Sequence, residues 1–164
     1  MKAKMFRALL PFAIVFTLIS CSSDASEDAA VTPIVENFSY NEVELDLMNK
    51  INEHRVSVGL NPLEKINHIS FKSSEHNDYM IENDVVGHQY FDQRASNIKQ
   101  VLGAVQVSEN VAYNYQSNAG VLNAWLLSDG HKNNIEGDFT HFGISVKTNP
   151  TTGKKYYTNI FMKR

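Results

Sequence analysis

Two stretches near the carboxyl end decide the fold: Phe142-Gly143-Ile144-Ser145-Val146 and Tyr156-Tyr157-Thr158-Asn159-Ile160-Phe161-Met162. In the first, apolar residues alternate with small or polar ones, the period of a strand buried on one face. The second is rich in aromatic and β-branched residues, which suit a pleated surface. Asn149-Pro150-Thr151-Thr152-Gly153 lies between them and supplies a turn. The chain therefore closes on a β-hairpin.

Upstream of this hairpin the apolar period is helical. Val43, Leu47, Ile51 and Val58 fall on one stripe, with Met48 beside it. Gly59 suits the position just past that helix, and Pro62 stops it from continuing. A second helix is expected over about 69–83, with Ile69, His76, Tyr79 and Met80 towards the core. A short helical stretch holds Ile98, Val101 and Leu102, and 105–113 reads as a strand. Ser117 can cap a further helix whose stripe is Val121, Leu122, Trp125 and Leu126, with Gly130 ending it. Helices, a strand, a helix and a hairpin describe an α+β domain in which helices cover a small antiparallel sheet.

The 164 residues are 43% hydrophobic and 20% charged, an ordinary globular composition that excludes collagen-like and wholly disordered readings. The net charge is −3, so a nucleic-acid role driven by phosphate neutralisation has no support. A single cysteine excludes an intrachain disulfide and cysteine-rich metal sites, which leaves His and carboxylate as metal ligands.

The cysteine has another reading. Lys2, Lys4 and Arg7 precede a short apolar run from Ala8 to Ser20, too short for the ~20 residues of a bilayer-spanning helix and suited to a signal peptide. The run ends in Leu18-Ile19-Ser20-Cys21, which resembles a bacterial lipobox. That resemblance implies cleavage before Cys21 and its lipidation, with several acyl chains giving a stable anchor. The expected organisation is a signal peptide at 1–20, a flexible Ser-, Asp-, Glu- and Ala-rich tether at 21–40, and a folded domain at 41–164. Loss of residues 1–20 removes three positive charges and no negative ones, so lipid rather than a basic surface would hold the protein on a membrane. The expected location is the bacterial cell envelope, outside the cytoplasm.

Standard catalytic signatures are missing. There is no His-Glu-x-x-His, no phosphate-cradling glycine-rich loop and no Gly-x-Ser-x-Gly elbow. Two histidines sit beside glycine, in Gly87-His88 and Gly130-His131, and Glu109-Asn110 lies in the expected strand at 105–113. Glycine lets the backbone take unusual dihedrals, which can aim a neighbouring side chain into a cleft. His54, His68 and His141 have no evident partner. His76 reads as a satisfied buried histidine and Trp125 as a core anchor. Tyr113, Tyr115, Tyr156 and Tyr157 read as sheet surface, with a sugar-binding face as the alternative.

Taken in order, these pieces resemble the CAP superfamily, which includes cysteine-rich secretory proteins, antigen 5 and plant pathogenesis-related proteins. The likeness runs over about residues 41–164. It is carried by Gly59-Leu60-Asn61-Pro62-Leu63, His76, Gly87-His88 and Glu109-Asn110-Val111-Ala112-Tyr113. Trp125-x-x-Ser128-x-Gly130-His131-x-x-Asn134-Ile135, Phe142-Gly143-Ile144 and Tyr156–Phe161 complete it. The resemblance implies an α-β-α sandwich with a cleft lined by two His and two Glu. Residue by residue, His88, Glu109 and His131 match three of the four. The second Glu falls at Ser128, so the tetrad is incomplete, and Ser108 replaces a glycine before Glu109.

Two neutral imidazoles suit zinc or another divalent cation, with His88 and His131 as the ligands. Glu109 is the candidate third ligand, histidine-orienting group or catalytic base. A site with two imidazoles and one carboxylate is a poor zinc site. The expected function is therefore a lipid-anchored envelope module whose cleft (His88, Glu109, Ser128, His131) binds a small molecule, lipid, glycan or protein. The alternative is a metal-assisted hydrolase that uses the same cleft.

Overall fold

The computed structural model describes residues 33–164. Cys21, the signal peptide and most of the expected tether lie outside the described residues. In chain order the elements are α1 (Glu42–Ser57), β1 (Glu64–Lys65), α2 (Asn67–Glu82), α3 (Phe91–Leu102), β2 (Gln106–Tyr113), α4 (Asn118–Leu126), α5 (Asp129–Ile135), β3 (His141–Thr148) and β4 (Lys155–Lys163). The strands form one sheet in the order β1-β3-β4-β2, with β2 and β3 both antiparallel to β4. The class is α+β as expected, with one correction: the sheet is mixed, because the short β1 pairs parallel to β3. A two-residue strand of Glu and Lys carries no periodic signal, so nothing in the sequence marks it.

Helices cover both faces. Leu47, Met48 and Ile51 of α1, Val121 and Trp125 of α4, and Ile135 of α5 pack on Phe142, Ile144, Val146, Tyr157 and Phe161. On the opposite face, Ile69 of α2 and Ile98 and Leu102 of α3 pack on Ile160 and Met162. The alternation of β3 explains the contrast between faces. Its bulky residues point towards α1, while Gly143 points towards α2. A Cβ on Gly143 would lie 2.3 Å from the Ser70 nitrogen and 2.5 Å from the Ile69 carbonyl carbon, so α2 seats its backbone directly on the sheet there. Ser73 and Asn77 then donate to the Gly143 and Ser145 carbonyls at 3.1 and 2.8 Å.

The helix ends follow local chemistry. Asn41 and Glu44 form a reciprocal capping box at the start of α1. The buried Glu44 also accepts from the Val146 amide at 2.8 Å, tying that cap to β3. At the far end, Gly59 has φ +83°, Leu60 N–H donates to the Arg55 carbonyl and Gly59 N–H to the Val56 carbonyl, a Schellman closure. Val58 is the C-cap and is half exposed, so it leaves the expected apolar stripe. Ser117 caps α4 through the Gly120 amide at 3.1 Å. Gly130 does not end α4: it lies inside α5, and the break falls at Ser128, whose backbone is extended (φ −107°, ψ 117°). A glycine costs a helix only ~1 kcal/mol, which a short packed helix tolerates.

Tyr156 and Tyr157 are fully buried rather than on the sheet surface, Tyr157 donating to the Tyr115 carbonyl at 2.9 Å. Trp125 is the anchor expected of it: 1% exposed, it donates its indole N–H to the Val111 carbonyl. The chain ahead of α1 is also tied down. Val35 N–H donates to His68 Nδ1 at 3.1 Å, Asn67 donates to the Glu36 carbonyl, and the Tyr40 hydroxyl meets Asn67 and Ser70. Among the described residues, the chain is therefore docked from as early as Val35.

Arg55 is buried at 2% exposure, and among the described residues no carboxylate is bonded to it. Its guanidinium donates to the carbonyls of Asn61, Ile135, Gly137 and Phe139, including the carboxyl end of α5. It joins α1, the loop before β1 and the loop before β3 through those four acceptors. Orphaning even two of them costs about 2–6 kcal/mol. Urea denaturation of Arg55→Met should therefore show a loss in that range. A loss below about 1 kcal/mol would show that water replaces the guanidinium without cost.

Candidate functional site

The site grows from strand β2, the edge of the sheet beside β4. Glu109 sits mid-strand on the α2/α3 face, and its carboxylate is 1% exposed. A buried carboxylate needs a cation and donors, and α3 supplies both. Arg94 donates from Nε to Oε2 and from Nη2 to Oε1, each at 2.9 Å, a fork-on-carboxylate pair. His88 Nδ1 lies 2.9 Å from the same Oε1. With Glu109 held as an acceptor by Arg94, His88 donates its Nδ1–H. In the neutral ring the free Nε2 is then a bare acceptor. The His88 side chain is 50% exposed, so this ring connects the buried pair to solvent.

The loop carrying His88 is pinned on both sides of it. His76, fully buried on α2, donates its Nε2–H to the Gly87 carbonyl at 2.7 Å. Arg94 Nη1 donates to the Gln89 carbonyl at 2.6 Å. His76 Nε2 also lies 3.9 Å from Glu109 Oε1. Its Nδ1 is buried with no hydrogen-bond partner, so the expectation of a fully satisfied histidine is only half met.

His131 reaches the same region from the other face of the sheet. It is partly buried on α5, and β2 fixes that helix: Asn110 donates to the His131 carbonyl at 3.0 Å. Asn134 donates to Asn110 Oδ1 and to the Glu109 carbonyl. Burial first, and the neighbouring His88 second, hold the His131 pKa below the ordinary histidine value. Burial also lowers that of His76, with Glu109 pulling the other way and Arg94 reinforcing the shift. Ser128 stands three residues before His131 at the α5 N-cap, and its side chain makes no cap bond.

Among the sequence candidates, the structure brings His88 and Glu109 into contact and sets His131 close enough to feel His88. Two participants were not legible as site residues. Arg94 falls four and eight residues before Ile98 and Leu102, on the buried stripe of α3. A cation on an apolar stripe calls for a buried carboxylate, and that was the available signal. His76 is legible only as core, because its role in holding the loop depends on the Gly87 carbonyl. The other histidines do have partners: His54 meets Glu136 at 2.9 Å, His68 meets Val35 and Asn97, and His141 meets Thr140. These contacts join residues distant in sequence or involve a neighbour with no patterned spacing.

Glu109 is committed to Arg94 and His88, and among the described residues no group of three or more His, Cys, Asp or Glu is arranged to hold a metal ion. Concavities of about 590 Å³ and 500 Å³ lie elsewhere, around Arg55 and Pro62 and along the outer side of α1.

Comparison with known proteins places this geometry. Residues 48–161 match the model of the CAP, or cysteine-rich secretory protein, family. The chain belongs to that family. It is 35% identical over 126 residues to the uncharacterized membrane protein YlbC of Bacillus subtilis. The match covers 73% of this chain and only 33% of that relative, so this chain spans about a third of the relative's length. An outer surface protein of Borrelia burgdorferi has the same fold at 24% identity, with a TM-score of 0.69 over 77% of this chain and 96% of that one. A cysteine-rich secretory protein of Staphylococcus aureus (20% identity, TM-score 0.63) aligns over 78% of this chain and 42% of its own. An extracellular SCP-domain protein of Bacillus anthracis (23%, 0.63) aligns over 78% and 45%. The expected α-β-α sandwich is therefore the fold of this chain. Among the described residues no helix is long and apolar enough to cross a membrane.

Two outcomes follow. Arg94→Met leaves Glu109 buried without its cation and should cost about 3–5 kcal/mol. Adding Glu109→Gln should recover a large part of that loss, whereas additive losses in urea denaturation would contradict the pairing. Both His76 and His131 have folded pKa values below their unfolded ones, so the folded state favours their neutral forms. Their contribution to stability is complete above about pH 6.5 and is lost as pH falls below it towards the depressed values. Midpoints from NMR titration of the two rings should lie below that of a free histidine, and midpoints above it would contradict the assignment.

Proposed function

We propose that this protein is an envelope-displayed binding module. It is anchored through lipid on Cys21, and its ligand-contacting surface is the His88–His131 edge of the sheet. The observation that carries the reading is the commitment of Glu109. Its carboxylate is buried and bonded to Arg94 and His88, so it presents an oriented imidazole and is not itself free as a third metal ligand or as a carboxylate acid or base. A pinned side chain on rigid elements suits recognition, because little entropy is lost when a ligand orders it further. The names of the relatives, which include membrane, outer surface and extracellular proteins, support display outside the cytoplasm.

The reading is tested by pull-down of fractionated envelope lipids and glycans on the full chain and on His88→Ala/His131→Ala. A retained component should be lost from the double variant while the fold, by circular dichroism, is kept. Equal retention by both proteins would remove the cleft from the function. Zinc calorimetry separates the hydrolase alternative. The wild type should bind weakly, and Ser128→Glu should tighten binding by roughly 1–3 kcal/mol if its carboxylate reaches the ion. Tight wild-type binding abolished by the double substitution would favour the metal reading. Cys21→Ala should move the protein from the membrane to the soluble fraction, and unchanged fractionation would overturn the anchor.

A further inference from the structure

Asn159 lies at the middle of β4 and is 0% exposed, yet neither its side-chain oxygen nor its nitrogen has a hydrogen-bond partner among the described residues. Exchanging the two ends of the amide does not help, because both are orphaned. Most of its surroundings are apolar. Tyr157 and Phe161 flank it on the same face of β4, and Ile144 stands opposite it on β3, all fully buried. An apolar side chain would sit here without penalty, whereas a buried amide is costly until something bonds it.

The side towards β2 is polar. Asn110 is the register partner of Asn159, and Ser108 lies two residues along the same face. Ser108 Oγ is also buried without a partner among the described residues. Asn110 has capacity to spare: its Nδ2 donates once, to the His131 carbonyl, and its Oδ1 accepts once, from Asn134. Paired residues on neighbouring strands have Cβ atoms about 5 Å apart, but the Asn159 and Asn110 amides do not bond each other.

These groups define what fits between them. The patch is neutral, since Glu109 and Arg94 lie on the opposite face of the sheet, so an ion meets no opposite charge. Asn159 and Asn110 are both 0% exposed, so the occupant must be small enough to be enclosed. It must also donate and accept at once, because Asn159 offers both an oxygen and an N–H pair. Water meets all three conditions, and a buried water makes about three hydrogen bonds of this kind. We propose that ordered water is a built-in ligand of this site. It bridges Asn159 to Asn110 and Ser108, and through the Asn110–Asn134 pair it ties β4 to α5, the helix that carries His131. Asn159 is thereby a positioning residue for His131. The inference is independent of what the His88–His131 edge binds.

The test is NMR of the full chain in detergent micelles, with water itself as the probe. The Asn159 and Asn110 Nδ2 protons should show NOE and ROE cross-peaks of opposite sign at the water frequency, the mark of water held far longer than at a surface. The peaks should survive in Ser108→Ala, where the two amides still hold the water. Their loss there would identify the Ser108 hydroxyl as their source and overturn the site. Asn159→Leu should remove the peaks at Asn110, move the His131 ring signals, and speed hydrogen exchange of the α5 amides about tenfold relative to those of α3. Asn159→Gln, whose longer side chain reaches where the water stands, should also lose the peaks at Asn110 but keep α5 exchange within a few-fold of wild type. Water peaks missing from the wild type would overturn the proposal whether or not the variants fold. Asn159→Leu with unchanged α5 exchange and His131 signals would overturn the positioning role.

Discussion

The buried Arg94–Glu109 pair is the constraint on which the site depends. A carboxylate inside a sheet-helix interface is tolerable only with a partner whose geometry satisfies both oxygens, and a guanidinium fork does so. The pair fixes α3 against β2. Through the remaining Arg94 nitrogen and through Glu109 Oε1, it also fixes the loop between α2 and α3. His88 is presented by this loop, and its ring orientation follows from a carboxylate that cannot turn away. The interaction that holds two elements together thus also sets the face the imidazole shows to solvent.

This dependence recasts Glu109. As a free carboxylate beside two histidines it would serve as metal ligand or base. Paired with Arg94 it becomes the group that orients a histidine. Ser128, where a second carboxylate would complete the set, begins α5 and leaves the site without replacement charge. The same fold can therefore carry different chemistry with only a few side chains changed, which is why the site rather than the fold carries the functional argument.

Much of the fold was legible because it rests on local rules. The alternation of Phe142, Ile144 and Val146, the Gly59 closure and the Ser117 cap each have a short-range physical cause, and each is found. Val58 left its stripe because the Schellman closure takes it out of the helix first. Gly130 does not break the helix, because one glycine is a weak breaker, and Ser128 is where the backbone turns extended. β1 was unreadable because two charged residues pair by position rather than pattern. Of the site, His88 and Glu109 were found by likeness to a family, since 21 residues separate them and no local rule joins them. Arg94 is not legible in the sequence, because its role needs the burial of α3 to be known.

The claim that Glu109 orients His88 is tested most directly by nitrogen-15 NMR of the His88 ring above its titration midpoint. The account predicts a proton on Nδ1, protected by Glu109, and a bare Nε2. A neutral His88 with its proton on Nε2, or a ring exchanging freely between both forms, would contradict it.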